Sequence, residues 1–391
     1  MLNFDFHLPT QIVFGKNRHK EIGSLIKPFA EKVLLHYGSE RIKENGVYET
    51  ITASLREAGI SYVELGGVVP NPRVSLVNDG IAICLKEGVD FILAVGGGSV
   101  IDSSKAIALG AANPAIDVWS LFSKGIVVEK ALPVACILTI PASGSECSNS
   151  CVISNETTKR KLGYSSELNR PFMSIIDPTL FATLPKHQIA NGVSDMISHI
   201  LERYFSNTLD TEYSDALCEA TLRTLIEFGA KVYNNPDDYD SWCQVALAGT
   251  MAHNNVLGVG REQDWACHAM EHVLSAMYDI AHGAGLAVLT PAWMRYCASY
   301  NQKRFLGFAE KVMGVKADTI DETIEAGIVA LEDFFQSIAL PSKLKEMGII
   351  PNDVSYLAEQ VVTNEDGSER TVGRFKRLFA EDVESIYQSV L

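Results

Sequence analysis

Short apolar runs alternate with stretches of helical period through the first half of the chain. The runs E-K-V-L-L-H-Y-G (31–38), S-Y-V-E-L (61–65), D-F-I-L-A-V-G (90–96) and P-V-A-C-I-L-T-I (133–140) are nearly continuous in hydrophobic residues. That pattern belongs to strands covered on both faces. Between them, 46–58, 73–87 and 99–111 place apolar residues at helical spacing, so the segment predicts a parallel sheet flanked by helices. The opening F-D-F-H-L-P-T-Q-I-V-F-G (4–15) alternates apolar and polar positions and predicts an exposed antiparallel strand or hairpin.

Beyond Leu184-Pro185 the texture changes. Long amphipathic patterns dominate, broken at N-N-P-D-D (234–238), G-V-G-R-E-Q-D (258–264), L-P-S-K (340–343) and N-E-D-G-S (364–368). No run there reads as a strand. The expected fold is an α/β N-terminal domain at residues 1–184 followed by an all-α C-terminal domain at 185–391. A chain of 391 residues suits two such units.

Composition narrows the partners. Apolar residues at 47 % supply core material, and charged residues at 21 % without low-complexity runs argue against long disorder. A net charge of −15 with no basic stripe disfavours nucleic acid and anionic membrane surfaces. No apolar run approaches the roughly 18 residues of a membrane span, and the N-terminus lacks the pattern of a signal peptide. Eight cysteines without C-x-x-C are expected as reduced thiols, consistent with a cytoplasmic location.

Candidate metal chemistry concentrates in two segments of the second half. Asp195 and His199 stand four apart in N-G-V-S-D-M-I-S-H (191–199), and His268 and His272 repeat that spacing in D-W-A-C-H-A-M-E-H (264–272). Residues four apart share a helix face, about 6 Å from each other. A lone buried histidine is usually a core residue. Two such pairs plus His282, in a chain with nine histidines, point instead to one bound divalent cation. Mixed oxygen and nitrogen donors suit Fe2+, Zn2+, Co2+ or Mn2+ and argue against Ca2+ or Mg2+. On one unbroken helix His268 and His282 would lie about 21 Å apart. Either His282 is not a ligand, or the helix ends between them, with His282-Gly-Ala-Gly as the expected break.

The first half carries a different chemistry. V-G-G-G-S-V-I-D-S-S-K-A (95–106) joins a buried strand to a helix. Its glycines let the backbone approach a bulky anion, and the helix start offers N–H groups and a positive dipole end, which suits a pyrophosphate. The spacing is not G-x-G-x-x-G. Asp102 is read as a neighbour of substrate or ribose, a candidate catalytic carboxylate. T-I-P-A-S-G-S-E-C-S (139–148) would form a second wall of the same crevice at the carboxyl edge of the sheet. The first long strand ends in Y-G-S-E-R-I-K (37–43), which makes Gly38, Ser39 and Glu40 candidate cofactor contacts. There Glu40 points toward NAD, and Arg41 and Lys43 toward NADP.

Together these motifs resemble the iron-dependent (group III) alcohol dehydrogenases, in particular their butanol dehydrogenase and aldehyde reductase branch. The likeness also runs through P-T-Q-I-V-F-G-K (9–16), V-V-P-N-P (68–72), I-D-P-T-L-F-A-T-L-P (176–185) and R-L-F-A-E-D-V-E-S-I-Y (377–387). It implies a Rossmann-like dinucleotide-binding domain plus a helical domain, with the site between them. It implies Asp195, His199, His268 and His282 as metal ligands, and His272 beside the nicotinamide and substrate. Gly97, Gly98 and Ser99 become pyrophosphate contacts, and Asn71, Thr139, Ser148, Val152 and Lys161 line the cofactor cleft. The implied reaction is reversible hydride transfer between NAD(P)H and a small aliphatic aldehyde or alcohol, with Fe2+ as the expected metal and Zn2+ the alternative. A homodimer through the N-terminal strand is also implied.

One departure bears on the cofactor. Gly38-Ser39-Glu40-Arg41 stands where many relatives carry a run of glycines, so NAD and NADP both stay open. The competing enzyme reading is a dehydroquinate synthase-like or glycerol dehydrogenase-like protein acting on a polyol or phosphorylated substrate. Such a site needs basic groups, whereas the histidine segments carry Trp265, Met270, Met277 and Trp293. A non-enzymatic metal- or nucleotide-binding protein is the third possibility, and it has no need of both motifs in one chain.

Overall fold

The computed structural model describes residues 1–391. The chain divides into two compact units, His7–Thr183 and Leu184–Leu391, and Met1–Phe6 belongs with the second. The sequence had assigned those six residues to the α/β part. Their backbone explains the difference: Leu2 N–H donates to the Gly260 carbonyl at 2.8 Å and the Met1 ammonium to the Leu209 carbonyl at 2.8 Å.

The first unit is built on strands β1 (Gln11–Phe14), β2 (Lys32–Tyr37), β3 (Ser61–Leu65), β4 (Phe91–Gly96), β5 (Val134–Leu138), β6 (Ser150–Asn155), β7 (Arg160–Ser165) and β8 (Met173–Ile176). Six of them form one parallel sheet in the order β1-β8-β5-β4-β2-β3. Helices α1 (Val47–Glu57), α2 (Val74–Glu87) and α3 (Gly98–Ala112) supply crossovers. Every residue of β4 and β5 is buried, which is why those strands read as unbroken apolar runs. Val33, Leu35, Phe91, Leu93 and Val95 cluster with Ile51 and Leu55 of α1. On the opposite face His36 bonds Ser103 of α3. The pleat thus sends alternate side chains to two helical layers.

One strand expectation is corrected, and one hairpin was not foreseen. The opening segment pairs only through Gln11–Phe14, and it pairs parallel, with Gln11 opposite Met173. Its alternating pattern reflects an edge strand with one covered side, not a hairpin. The antiparallel hairpin is instead β6–β7, with Ser150 opposite Ser165. It escaped the sequence reading because both strands are half polar and the turn, with Lys159 at φ +54°, has no glycine.

The second unit is helical. Its helices include α4 (Lys186–Tyr204), α5 (Glu212–Asn234), α6 (Tyr239–His253), α7 (Ala266–Tyr278) and α8 (His282–Cys297). Only isolated bridges, Thr363 with Glu369 and Val372 with Leu378, interrupt the helices and loops. Trp293 lies in its core against Phe205, Phe305 and Phe375, with ring centres 5.6–6.2 Å apart. No helix is long and apolar enough to cross a membrane.

Candidate active site

Three helices bring the metal candidates together. Asp195 and His199 project from α4, His268 from α7, and His282 is the first residue of α8. Asp195 Oδ1 lies 3.2 Å from His199 Nδ1, 3.7 Å from His268 Nε2 and 3.7 Å from His282 Nε2. Asp195 Oδ1, His199 Nδ1 and His268 Nε2 are buried and accept or donate no hydrogen bond. Orphaned buried polar atoms are rare because each costs desolvation without return. Donor atoms held roughly 2.1 Å from one ion lie roughly 3.0–3.5 Å from each other. The chemistry and spacing of the set therefore fit a divalent ion.

The helix break that permits this comes earlier than expected. It falls at Asp279-Ile280-Ala281, before His282, where Asp279 takes a left-handed conformation (φ +53°) that ends α7. The glycine after His282 has another use. A Cβ on Gly283 would stand 2.0 Å from the Asn191 carbonyl oxygen, so glycine there lets α8 lie directly on α4.

Two glutamates that sequence reasoning missed orient the imidazoles. His268 Nδ1 donates to Glu202, and His282 Nδ1 donates to Glu271, turning both Nε2 atoms toward Asp195. Glu202 also accepts from the N–H of Cys267 at 2.6 Å and of His268 at 3.3 Å, capping the start of α7. Seven residues after Asp195, it lies on the same face of α4, a signal the sequence did hold. Burial opposes charge on His268, but Glu202 and Asp195 outweigh it and its pKa is pushed up to about 9. Burial, with His253 and His268 nearby, holds His199 well below the usual range.

His253, at the end of α6, was also missed. Its ring lies 4.2 Å from that of His199, and Arg203 bonds its Nδ1 at 3.1 Å. His272 borders the set without joining it, with ring centres 6.2 Å from His268 and 5.6 Å from His282. Glu271, His272 and His282 form a second close set of donor atoms, but the Glu271 carboxylate is taken by His282. Of the apolar residues expected around the histidines, Trp265 is there, 5.2 Å from His268 and 5.8 Å from His199. Met270 is a fully buried core residue, Met277 is 38 % exposed, and Trp293 is in the core described above.

In the first unit the strand order reverses between β4 and β2, and ligands bind outside the carboxyl ends of strands at such a point. Gly97 caps α3 in an extended conformation and no side chain caps that helix, leaving its first N–H groups for an anion. A Cβ on Gly97 would meet Ile140 at 2.9 Å, and one on Gly98 would meet Ser143 Oγ at 2.2 Å, so the turn is closely overlaid by the 139–148 loop. Ser99 is the second residue of α3, and Thr139 N–H donates to the Gly96 carbonyl at 3.0 Å. Gly38, Ser39 and Glu40 continue β2, whose Tyr37 pairs with Val95.

A buried lysine braces the second wall. Lys105 Nζ donates to the carbonyls of Ser145, Ser148 and Ser150 and to the Ser145 and Ser148 hydroxyls, at 2.7–3.2 Å. Burial pushes its pKa down. Asp102 receives Ser145 Oγ at 2.5 Å and Val152 N–H at 2.9 Å, and burial pushes its carboxyl up. Lys161 pairs with Ser154 across the hairpin. Asn71, at φ +56°, precedes Pro72, whose carbonyl accepts from Ser154 N–H at 2.8 Å. Ser148 and Asp102 thus both bind protein groups within this unit.

Comparison with known proteins identifies the lineage. The model of the iron-containing alcohol dehydrogenase family matches residues 9–178, and that of the family's C-terminal region matches 189–391. The chain belongs to the iron-containing alcohol dehydrogenase family. It is 41 % identical over 390 residues to NADH-dependent butanol dehydrogenase A of Clostridium acetobutylicum, covering 99 % of both chains. It is 36 % identical over 363 residues to the NADPH-dependent aldehyde reductase YqhD of Escherichia coli, covering 92 % of this chain and 93 % of that one. The crystal structure of NADH-dependent butanol dehydrogenase A from Thermotoga maritima superposes with a TM-score of 0.96 at 42 % identity, covering 100 % of this chain and 99 % of that one.

Proposed function

We propose that this chain, an NAD(P)H-linked oxidoreductase of alcohols and aldehydes, reversibly reduces small aliphatic aldehydes at a metal held by Asp195, His199, His268 and His282. The observation that carries the reading is the set of buried, unsatisfied donor atoms around Asp195 Oδ1. A divalent ion there, Fe2+ by family or Zn2+ by the same donors, would supply Lewis acidity toward a carbonyl oxygen and lower the pKa of the matching alcohol. The dinucleotide supplies the hydride.

The residues divide the remaining work. Glu202 and Glu271 hold the imidazoles of His268 and His282 in the tautomer that offers Nε2. His272, one turn from His268 and partly exposed, would move the proton on or off the substrate oxygen. The turn at Gly97, Gly98 and Ser99 takes the pyrophosphate. Thr139, Asn71, Ser148, Val152 and Lys161 shape the walls around it, and Asp102 positions Val152 through its N–H. The phosphorylated-substrate alternative is disfavoured, because Arg203, the guanidinium beside the imidazoles, is 2 % exposed and bound to the His199 carbonyl.

A cytoplasmic homodimer completes the reading. Leu2, Phe4, Phe6 and Leu8 alternate along the N-terminal segment and are 37–51 % exposed, a surface that a second copy would cover. Light scattering that finds a monomer at micromolar concentration would remove that part. The central test pairs metal analysis after anaerobic purification with NAD(P)H oxidation in the presence of butanal. His272→Asn should keep its metal and lose on the order of a hundredfold in turnover. Loss of metal in that variant would make His272 a ligand and sink its assigned role.

A further inference from the structure

We infer that His253 is a positioning residue for the metal site: its ring, fixed by Arg203, aims the imidazole of His199 at the ion. The inference rests on the metal reading above. It concerns the one proposed imidazole ligand that no glutamate orients. His268 and His282 each give Nδ1 to a buried glutamate, which leaves Nε2 for the ion. The Nδ1 of His199 is buried without a hydrogen bond. Rings pack against it instead, that of His253 with centres 4.2 Å apart and that of His268 with centres 4.4 Å apart. Rotation about a histidine's χ2 is broad. Without a hydrogen bond, the direction of the ring nitrogens is set by what the ring touches.

His253 is itself tied down. Arg203 stands one turn beyond His199 on α4. It donates Nη1 to the His199 carbonyl at 2.7 Å and Nη2 to His253 Nδ1 at 3.1 Å. A guanidinium only donates, so Nδ1 of His253 is the acceptor and Nε2 carries the hydrogen. One residue thus fixes both the orientation and the tautomer of that ring.

Trp265 closes the group. The Arg203 guanidinium lies 4.5 Å from its ring centre, and the indole stands edge-on to His253 at 5.5 Å and to His199 at 5.8 Å. Trp265 takes a left-handed conformation, φ +66°, which a bulky residue seldom adopts. Asp264 beside it anchors the turn by accepting the N–H groups of Ala266, Arg374 and Phe375 at 3.3, 2.5 and 2.6 Å. Such strain persists only where the surroundings enforce it. The chain holds the indole against this pair of imidazoles at a cost in backbone geometry.

Metal binding by the full-length protein reads this without turnover. Zn2+-loaded protein is challenged with a chelator, and the Co2+-loaded form is followed by visible absorption, whose bands report the arrangement of donors. His253→Ala should weaken Zn2+ binding on the order of tenfold and shift the cobalt bands. His253→Phe restores a ring without the acceptor and should recover most of the affinity and the native bands. His253→Gln restores the acceptor without a ring and should recover little. Native affinity and native bands in His253→Ala would overturn the inference, as would tighter binding by His253→Gln than by His253→Phe. Where His253→Ala fails to fold, the order of the other two decides. Variants indifferent to the change in a native protein that binds metal would sink only the role of His253. A native protein that takes up neither metal would sink the site at Asp195 with it.

Discussion

Single residues set the direction of the site's atoms. Glu202 and Glu271 were invisible as site residues because an acidic side chain on a helix is ordinarily a solvated one. Here they are 1 % and 0 % exposed, and their burial is tolerated because each accepts an imidazole N–H. Glu202→Gln keeps the shape but weakens the orienting bond, and a metal affinity lower by roughly 10–100-fold is expected. Chelator competition measures it, and an unchanged affinity would show that His268 is aimed by packing alone. His36 offers a second residue-scale case. It is fully buried between β3 and α3, with Nδ1 on the Leu65 carbonyl and Nε2 on Ser103 Oγ, and burial lowers its pKa to about 4. The unfolded chain takes up that proton near pH 6.5, the folded chain only near pH 4. The stability His36 contributes is therefore full above pH 6.5 and falls as pH drops toward 4, by about 3 kcal/mol in all. Urea unfolding midpoints between pH 7 and 4 should show that slope, and His36→Gln should flatten it.

At the scale of elements, legibility followed burial and period. The strands of the sheet centre were readable because both faces are covered, so the apolar run is unbroken. The edge strand β1 and the hairpin β6–β7 were misread or missed because one covered face leaves a mixed pattern shared with loops. The i,i+4 pairs on α4 and α7 were readable as faces, and so was the need for a break before His282. Its position was not, because Asp279 rather than a glycine takes the left-handed conformation, while Gly283 is reserved for contact with α4. That contact gives a prediction. Gly283→Ala drives a methyl into the Asn191 carbonyl, 2.0 Å away in the unrelaxed backbone, and α8 must move off α4. A loss of about 1–3 kcal/mol in unfolding free energy should accompany weaker metal binding, since His282 moves with the helix. Native stability and full metal occupancy in that variant would show that α8 is not pinned through this glycine.

Across the whole molecule the residues proposed for the metal and for the dinucleotide belong to separate compact units, so each ligand should leave its own footprint. The donors proposed for the ion come from α4, α7 and α8, where Asp195 Oδ1, His199 Nδ1 and His268 Nε2 are buried with no hydrogen-bond partner. Binding at a thousand times the dissociation constant adds about 4 kcal/mol to whatever state holds all the donors. Stripping the metal should therefore speed amide exchange in 191–203 and 266–286. The glycine turn at 96–101 and the loop at 38–43 should be slowed by NADH, with or without metal, because their donors belong to the other unit. Hydrogen exchange followed by mass spectrometry resolves those segments. Metal removal that left 191–203 untouched but loosened 96–101 would place the ion at the sheet edge, and the role assigned to Asp195 and its three histidines would fail with it.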